Sequence, residues 1–187
     1  MDAKLAYLAG LISGDGHLEL GRNRVDIRIF DSRFRRTAFR LSRELLGEDA
    51  NVVDKGQKVR ITSKEFMNML VEAFEIPKGK KSRTLSVPKS ILTASDEIQD
   101  AYVAGWYDAE GWIETDRRRK PPYVRLRFCV VNGNVCGFIL RVLRKRRLGR
   151  AMFTSGTRFC IDINGHERVG RFLCEMPVRK IGRSSAH

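Results

Sequence analysis

The sequence predicts an α+β fold of two similar halves, each running helix, two strands, helix, two strands, helix. Three observations predict it. The stretch "AYLAGLISGDGHLE", beginning at Ala6, returns as "AYVAGWYDAEGWIE", beginning at Ala101, offset by the 95 positions that separate Asp15 from Glu110. Each copy is followed by an alternating apolar–polar run, "RVDIRIF" (24–30) and "YVRLRFC" (123–129), the period of a half-buried strand. Each half then closes on an amphipathic stripe at helical spacing.

Taken in order, the first helix of each half carries small residues four apart, Gly10 and Gly14, then Gly105 and Ala109. Such spacing lines one helix face and lets a second backbone approach closely. In the strands that follow, Val25, Ile27 and Ile29 face one way and Asp26 and Arg28 the other; Val124, Leu126 and Phe128 likewise oppose Arg125 and Arg127. The next helices are expected to end at Gly47 and Gly149. Hairpins should turn at Gly56 and Gly156. The closing helices bury Phe66, Met69, Leu70, Ala73 and Phe74, then Val169, Phe172, Leu173 and Met176. Pro77, Gly79 and Pro88 mark a linker, which divides the chain into a first repeat (1–76), a linker (77–95) and a second repeat (96–187).

The chain of 187 residues is 42% hydrophobic, so it can build a core, and its net charge of +14 calls for a polyanionic partner. No apolar run reaches the roughly 18–20 residues of a membrane span, and the apolar start has no cationic leader. These features point to a cytoplasmic protein that binds nucleic acid rather than a membrane. Cys129, Cys136, Cys160 and Cys174 form no C-x-x-C pair, which argues against a zinc module and a disulfide framework and for a reducing interior.

The doubled motif carries the chemistry. If the two small-faced helices pack on each other, their C-terminal ends meet and bring Asp15 beside Glu110. Two close carboxylates repel unless a proton or cation intervenes. A hard divalent cation suits such oxygens and shares substrate phosphates. On a basic protein, this pattern points to a metal site on a pseudo-twofold axis for phosphodiester hydrolysis. The rival from another class is a basic RNA-binding protein whose motifs are only a packing seam.

"LAGLISGDG" (8–16) and "VAGWYDAEG" (103–111) resemble the signature segments of the LAGLIDADG homing endonucleases. The first matches that string at seven positions, departing at Ser13 and Gly14; the second keeps the acid–glycine ending. The size resembles the compact single-chain members, particularly archaeal intron-encoded ones. The resemblance implies two αββαββα repeats about a pseudo-twofold axis, with the motif helices packed at the centre and curved antiparallel sheets forming a DNA-binding saddle. It implies that Asp15 and Glu110 are the catalytic acids and metal ligands, with Gly14 and Ala109 lending backbone carbonyls. It implies Mg2+, with Mn2+ able to substitute, and hydrolysis of one phosphodiester on each strand of a long, asymmetric double-stranded DNA target by a functional monomer. Asp108, at a variable motif position, is expected to serve a helix end or a supporting role. Lys80 and Lys81, and Lys180 in the matching place, are the candidate catalytic lysines. Late in the second strand, where relatives often place a polar or basic helper, this chain has Asp31, Ser32 and Arg33 in one half and Val130, Val131 and Asn132 in the other, a departure from the pattern. The alternative is an RNA-splicing maturase acting on its own intron RNA, or a non-cleaving DNA- or RNA-binding relative.

Base contacts are expected from the strand faces: Arg28, Lys58 and Arg60 in the first half, Arg125, Arg127 and Arg158 in the second, since arginine pairs bidentately with guanine. Cys160 and Asp162 are expected on that same open face. Arg22 and Arg24, and Arg117, Arg118 and Arg119, sit on loop tips suited to phosphate contact. The cluster "RKRRLGR" (144–150) reads as a solvated helix end.

Overall fold

A computed structural model describes residues 1–77, 84–149 and 151–180. The first half contains α1 (Ala3–Asp15), β1 (Gly16–Glu19), β2 (Arg24–Arg28), α2 (Ser32–Leu46), β3 (Asn51–Asp54), β4 (Lys58–Thr62) and α3 (Lys64–Glu72). After a short helix, α4 (Lys89–Leu92), the second half repeats the order as α5 (Asp96–Glu110), β5 (Gly111–Asp116), β6 (Tyr123–Val130), α6 (Gly133–Lys145), β7 (Met152–Ser155), β8 (Arg158–Asn164) and α7 (His166–Glu175). Each half builds a four-stranded antiparallel sheet, ordered β1-β2-β4-β3 and β5-β6-β8-β7.

The molecule is assembled around α1 and α5. Residues 6–13 and 98–108 are buried on every side, which is why neither helix shows an amphipathic stripe in sequence. Glycine makes the contact possible. A Cβ on Gly10 would stand 2.1 Å from the Tyr102 carbonyl oxygen, and one on Gly105 would stand 2.1 Å from that of Tyr7. The two positions answer each other across the seam. Tyr7 and Tyr102 do likewise: Tyr102 Oη donates to Ser13 Oγ at 3.2 Å, and Tyr7 Oη donates to Asp108.

Each sheet turns its apolar side to the helices. Val25, Ile27, Val59 and Ile61 are sealed in the first half, Leu126, Phe128, Ile161 and Ile163 in the second. Tyr107, Phe128 and Phe172 meet edge to face with centroids 5.0–5.7 Å apart, so α7 is pinned to the sheet and to α5. The hairpins turn where glycine can take a positive φ, at Gly56 (79°) and Gly156 (59°). Between the halves, Leu85, Val87 and Ile91 are buried, and Gln99 Nε2 donates to the carbonyls of Ile91 and Leu92 at 3.1 Å. The connecting segment is therefore part of the core where it is described.

Four expectations are corrected. The helix α6 ends at Lys145 rather than at Gly149, because Arg147 takes the positive φ (56°) and the Leu148 N–H closes back on the Leu143 carbonyl, burying Leu148. In α3, Met67 is buried, while Ala73 caps the helix and is exposed. Leu173 of α7 is exposed. Cys160 is buried and disulfide-bonded to Cys129, its direct partner across β6 and β8. The pairing was hidden in sequence because it depends on register and not on cysteine spacing.

Candidate active site and nucleic-acid interface

Asp15 and Glu110 are the last residues of α1 and α5. The crossing at Gly10 and Gly105 brings those ends together: a Cβ on Gly14 would stand 2.3 Å from Ala109 Cβ and 3.3 Å from Glu110 Cγ. Each acid lines its own cavity. Asp15 shares one of about 280 Å³ with Ala109, Arg28, Asp31, Asp108, Trp112 and Lys180. Glu110 shares one of about 90 Å³ with Gly14, Ser13, Trp106, Cys129, Val131 and Arg158. Each cavity thus combines the acid of one half with the residue preceding the acid of the other.

This donor set fits a hard divalent cation. Two carboxylates and the last-turn carbonyls of two helices are oxygen donors at the negative ends of helix dipoles. Mg2+ and Mn2+ take such donors, and Mg2+ is commonly held by one or two carboxylates, with phosphate and water completing its shell. Among the described residues, no three His, Cys, Asp or Glu side chains converge as a ready-made metal cage.

Lys180 lines the Asp15 cavity and reaches the residue that follows Glu110. Its Nζ donates to the Gly111 carbonyl oxygen at 3.0 Å. Burial pushes its ammonium below the usual lysine range, while Asp108, Asp15, Glu110 and Asp31 pull it upward. Lys80 and Lys81 lie outside the described residues. Asp108 is 2% exposed, and its Oδ2 accepts the Arg179 N–H at 2.6 Å in addition to the Tyr7 hydroxyl. Burial raises its carboxyl to about 6 against those hydrogen bonds.

The outer faces of the sheets carry the strand arginines, but mostly clamped. Asp26 on β2 receives Arg60 of β4 through Nε (2.8 Å) and Nη2 (3.0 Å), and Lys58 at 2.6 Å. The second half holds the same cross-strand pair with the charges exchanged. Arg127 on β6 donates to Asp162 of β8 at 2.7 and 2.9 Å and lies within 6.0 Å of the Trp112 and Phe153 ring centroids. Arg125 is bonded to Glu114. One step along the strands the halves differ: Arg28 faces Lys58 in the first, and Cys129 faces Cys160 in the second. Lys58 is itself bonded to Asp26, and Arg28 is exposed where the other half has a buried cystine sulfur.

The loop-tip arginines divide as well. Arg22 and Arg24 pair with Glu19. Arg119 pairs with Asp116 at 3.5 Å and stacks on Tyr123, and the Arg118 N–H bonds Asp116. Arg117 and Arg158 are exposed. The basic run after residue 144 is not simply solvated: Lys145 and Arg146 are bonded to Asp96 and Asp100, stapling α6 to α5.

This architecture has counterparts among solved structures. The crystal structure of I-DmoI in complex with DNA and Mn superposes with a TM-score of 0.65 over 95% of this chain and 98% of that one, at 19% identity. The fold is the two-repeat LAGLIDADG fold. Full-length DUF199/WhiA from Thermotoga maritima is comparably similar, with a TM-score of 0.62 over 95% of this chain and 56% of that one, at 13% identity. At these identities the likeness is one of fold. No family model matches the chain. A curated relative from Pyrococcus abyssi, part of its A-type ATP synthase, is 32% identical over 123 residues. That stretch is 63% of this chain but only 11% of the relative's own length. No helix among the described residues is long and apolar enough to cross a membrane.

Proposed function

We propose that this chain is a site-specific, metal-dependent DNA endonuclease that hydrolyses one phosphodiester on each strand of an asymmetric duplex. One observation carries the reading. Asp15 and Glu110 end two interlocked helices, and each opens on a cavity completed by the other half. The likeness to I-DmoI, solved with DNA and Mn, supports it.

Asp15 and Glu110, with the carbonyls of Gly14 and Ala109, would hold Mg2+ or Mn2+. The cations supply Lewis acidity to the scissile phosphates. Lys180, held among the acids, stabilises charge developing on the phosphate. Arg28, which lines the Asp15 cavity, takes a backbone phosphate there. Arg60, Arg125 and Arg127 read base edges on the two sheets. The halves differ at these positions, so the target is asymmetric and one chain suffices. We assign the protein to the cytoplasm, as its basic surface and proposed DNA target suit.

The same fold in WhiA supports a second reading, a nucleic-acid binder that does not cut. A cleavage selection separates the two. The protein is incubated with randomised duplex DNA and Mg2+, beside a chelator control, and the cut ends are sequenced. One long asymmetric consensus, cut only with metal, is the expected result. Selective retention of duplexes without cuts would establish the binder instead.

A further inference from the structure

Asp108 and the segment that crosses the ends of α1 and α5 form a device that the proposed active site does not by itself require. After α7 the chain runs without helix or strand through Met176 and Val178 to Lys180. Met176 is buried, anchoring the start of this strap. At its far end the Arg179 N–H donates to Asp108 Oδ2 at 2.6 Å, and the Arg179 guanidinium lies 5.1 Å from the Tyr7 ring centroid. Asp108 Oδ1 is buried and has no hydrogen-bond partner among the described residues. A carboxylate sealed in this way is costly unless its bonds do specific work.

The other half shows that the fold does not demand an acid here. Its counterpart at the same motif position is Ser13, equally buried, which accepts only the Tyr102 hydroxyl bond among those described. A neutral hydroxyl closes the seam on one side, whereas an acid on the other side closes it and also captures a backbone. What that capture delivers is Lys180, which lines the Asp15 cavity and whose Nζ reaches the carbonyl oxygen of Gly111, the residue after Glu110.

We infer that Asp108 is a positioning residue: it anchors the Arg179–Lys180 strap across the paired helix ends, so that one lysine is held at the ends that carry both acids. Its effect on cleavage rests on the nuclease reading; its effect on the strap does not.

The test uses the full-length protein and two readouts, amide hydrogen exchange at residues 179 and 180 and single-turnover cleavage of the selected duplex. Asp108→Ser copies the first half's solution. It should lower amide protection at 179–180 and slow cleavage, each by roughly tenfold or more, with DNA affinity in chelator within about twofold. Asp108→Asn keeps an acceptor and should retain most of both. Lys180→Met should slow cleavage at least as much as Asp108→Ser, and the double variant should be no slower than Lys180→Met alone. Arg179→Pro deletes the same bond from the strap side and serves if the Ser variant does not fold. Unchanged exchange in both Asp108→Ser and Arg179→Pro overturns the anchor. Lost protection with normal cleavage, or additive losses in the double variant, overturns the positioning of Lys180. If the wild type does not cut, the nuclease reading fails and the exchange data alone decide the anchor.

Discussion

At the scale of single residues, the placement of Asp15 and Glu110 at the ends of two packed helices was legible because they recur in register, each closing a small-faced helix. Asp15→Asn and Glu110→Gln should each keep duplex binding in chelator and lose roughly a hundredfold or more in cleavage rate. Filter binding and single-turnover kinetics measure the two effects separately. The carboxylates that clamp the groove arginines were not legible, since Asp26 meets Arg60 only through the β2–β4 register. Hydrogen bonds from Arg60 lower the Asp26 carboxyl from 3.8 to about 2. A depressed folded-state value means stability that is present above about pH 4 and lost as pH falls toward 2. The pair faces the open side of the sheet, so solvent screening reduces its worth to about 1 kcal/mol. Asp26→Asn should therefore cost about that much at pH 7, with the gap to wild type closing near pH 2 in urea unfolding curves. A gap that persists unchanged to pH 2 would assign the loss to packing instead.

At the scale of elements, the seam of α1 and α5 decides the fold. Glycine spacing announced it, and the backbone contacts at Gly10 and Gly105 show how little room it has. Gly10→Ala should destabilise the protein by about 3 kcal/mol or more, because the new methyl meets the Tyr102 carbonyl and not a flexible side chain. An unchanged melting temperature would mean that the helices do not cross there. Strands and hairpins were legible from alternation and from Gly56 and Gly156. The end of α6 was not, because the burial of Leu148 outweighed the usual preference for a glycine cap. The Cys129–Cys160 pair was hidden for the same reason as the arginine clamps: strand register is tertiary information.

At the scale of the molecule, the charge of +14 reflects two populations of cations. Lys58, Arg60, Arg125 and Arg127 are held by carboxylates on the same sheet faces, whereas Arg28 lines the Asp15 cavity and Arg117 and Arg158 are exposed. Clamping trades raw attraction for fixed geometry. Removing a clamp by Asp162→Asn should raise affinity for random duplex DNA several-fold while lowering discrimination in favour of the selected site, as read by competition binding. A parallel fall in both affinities would make Asp162 merely structural. The measurement that bears most directly on the account is strand-resolved cleavage of a supercoiled plasmid carrying the selected site, with Mg2+, by the wild type, Asp15→Asn and Glu110→Gln. The account predicts linear product from the wild type alone, blocked by chelator. Equal amounts of linear product from both acid variants would contradict it.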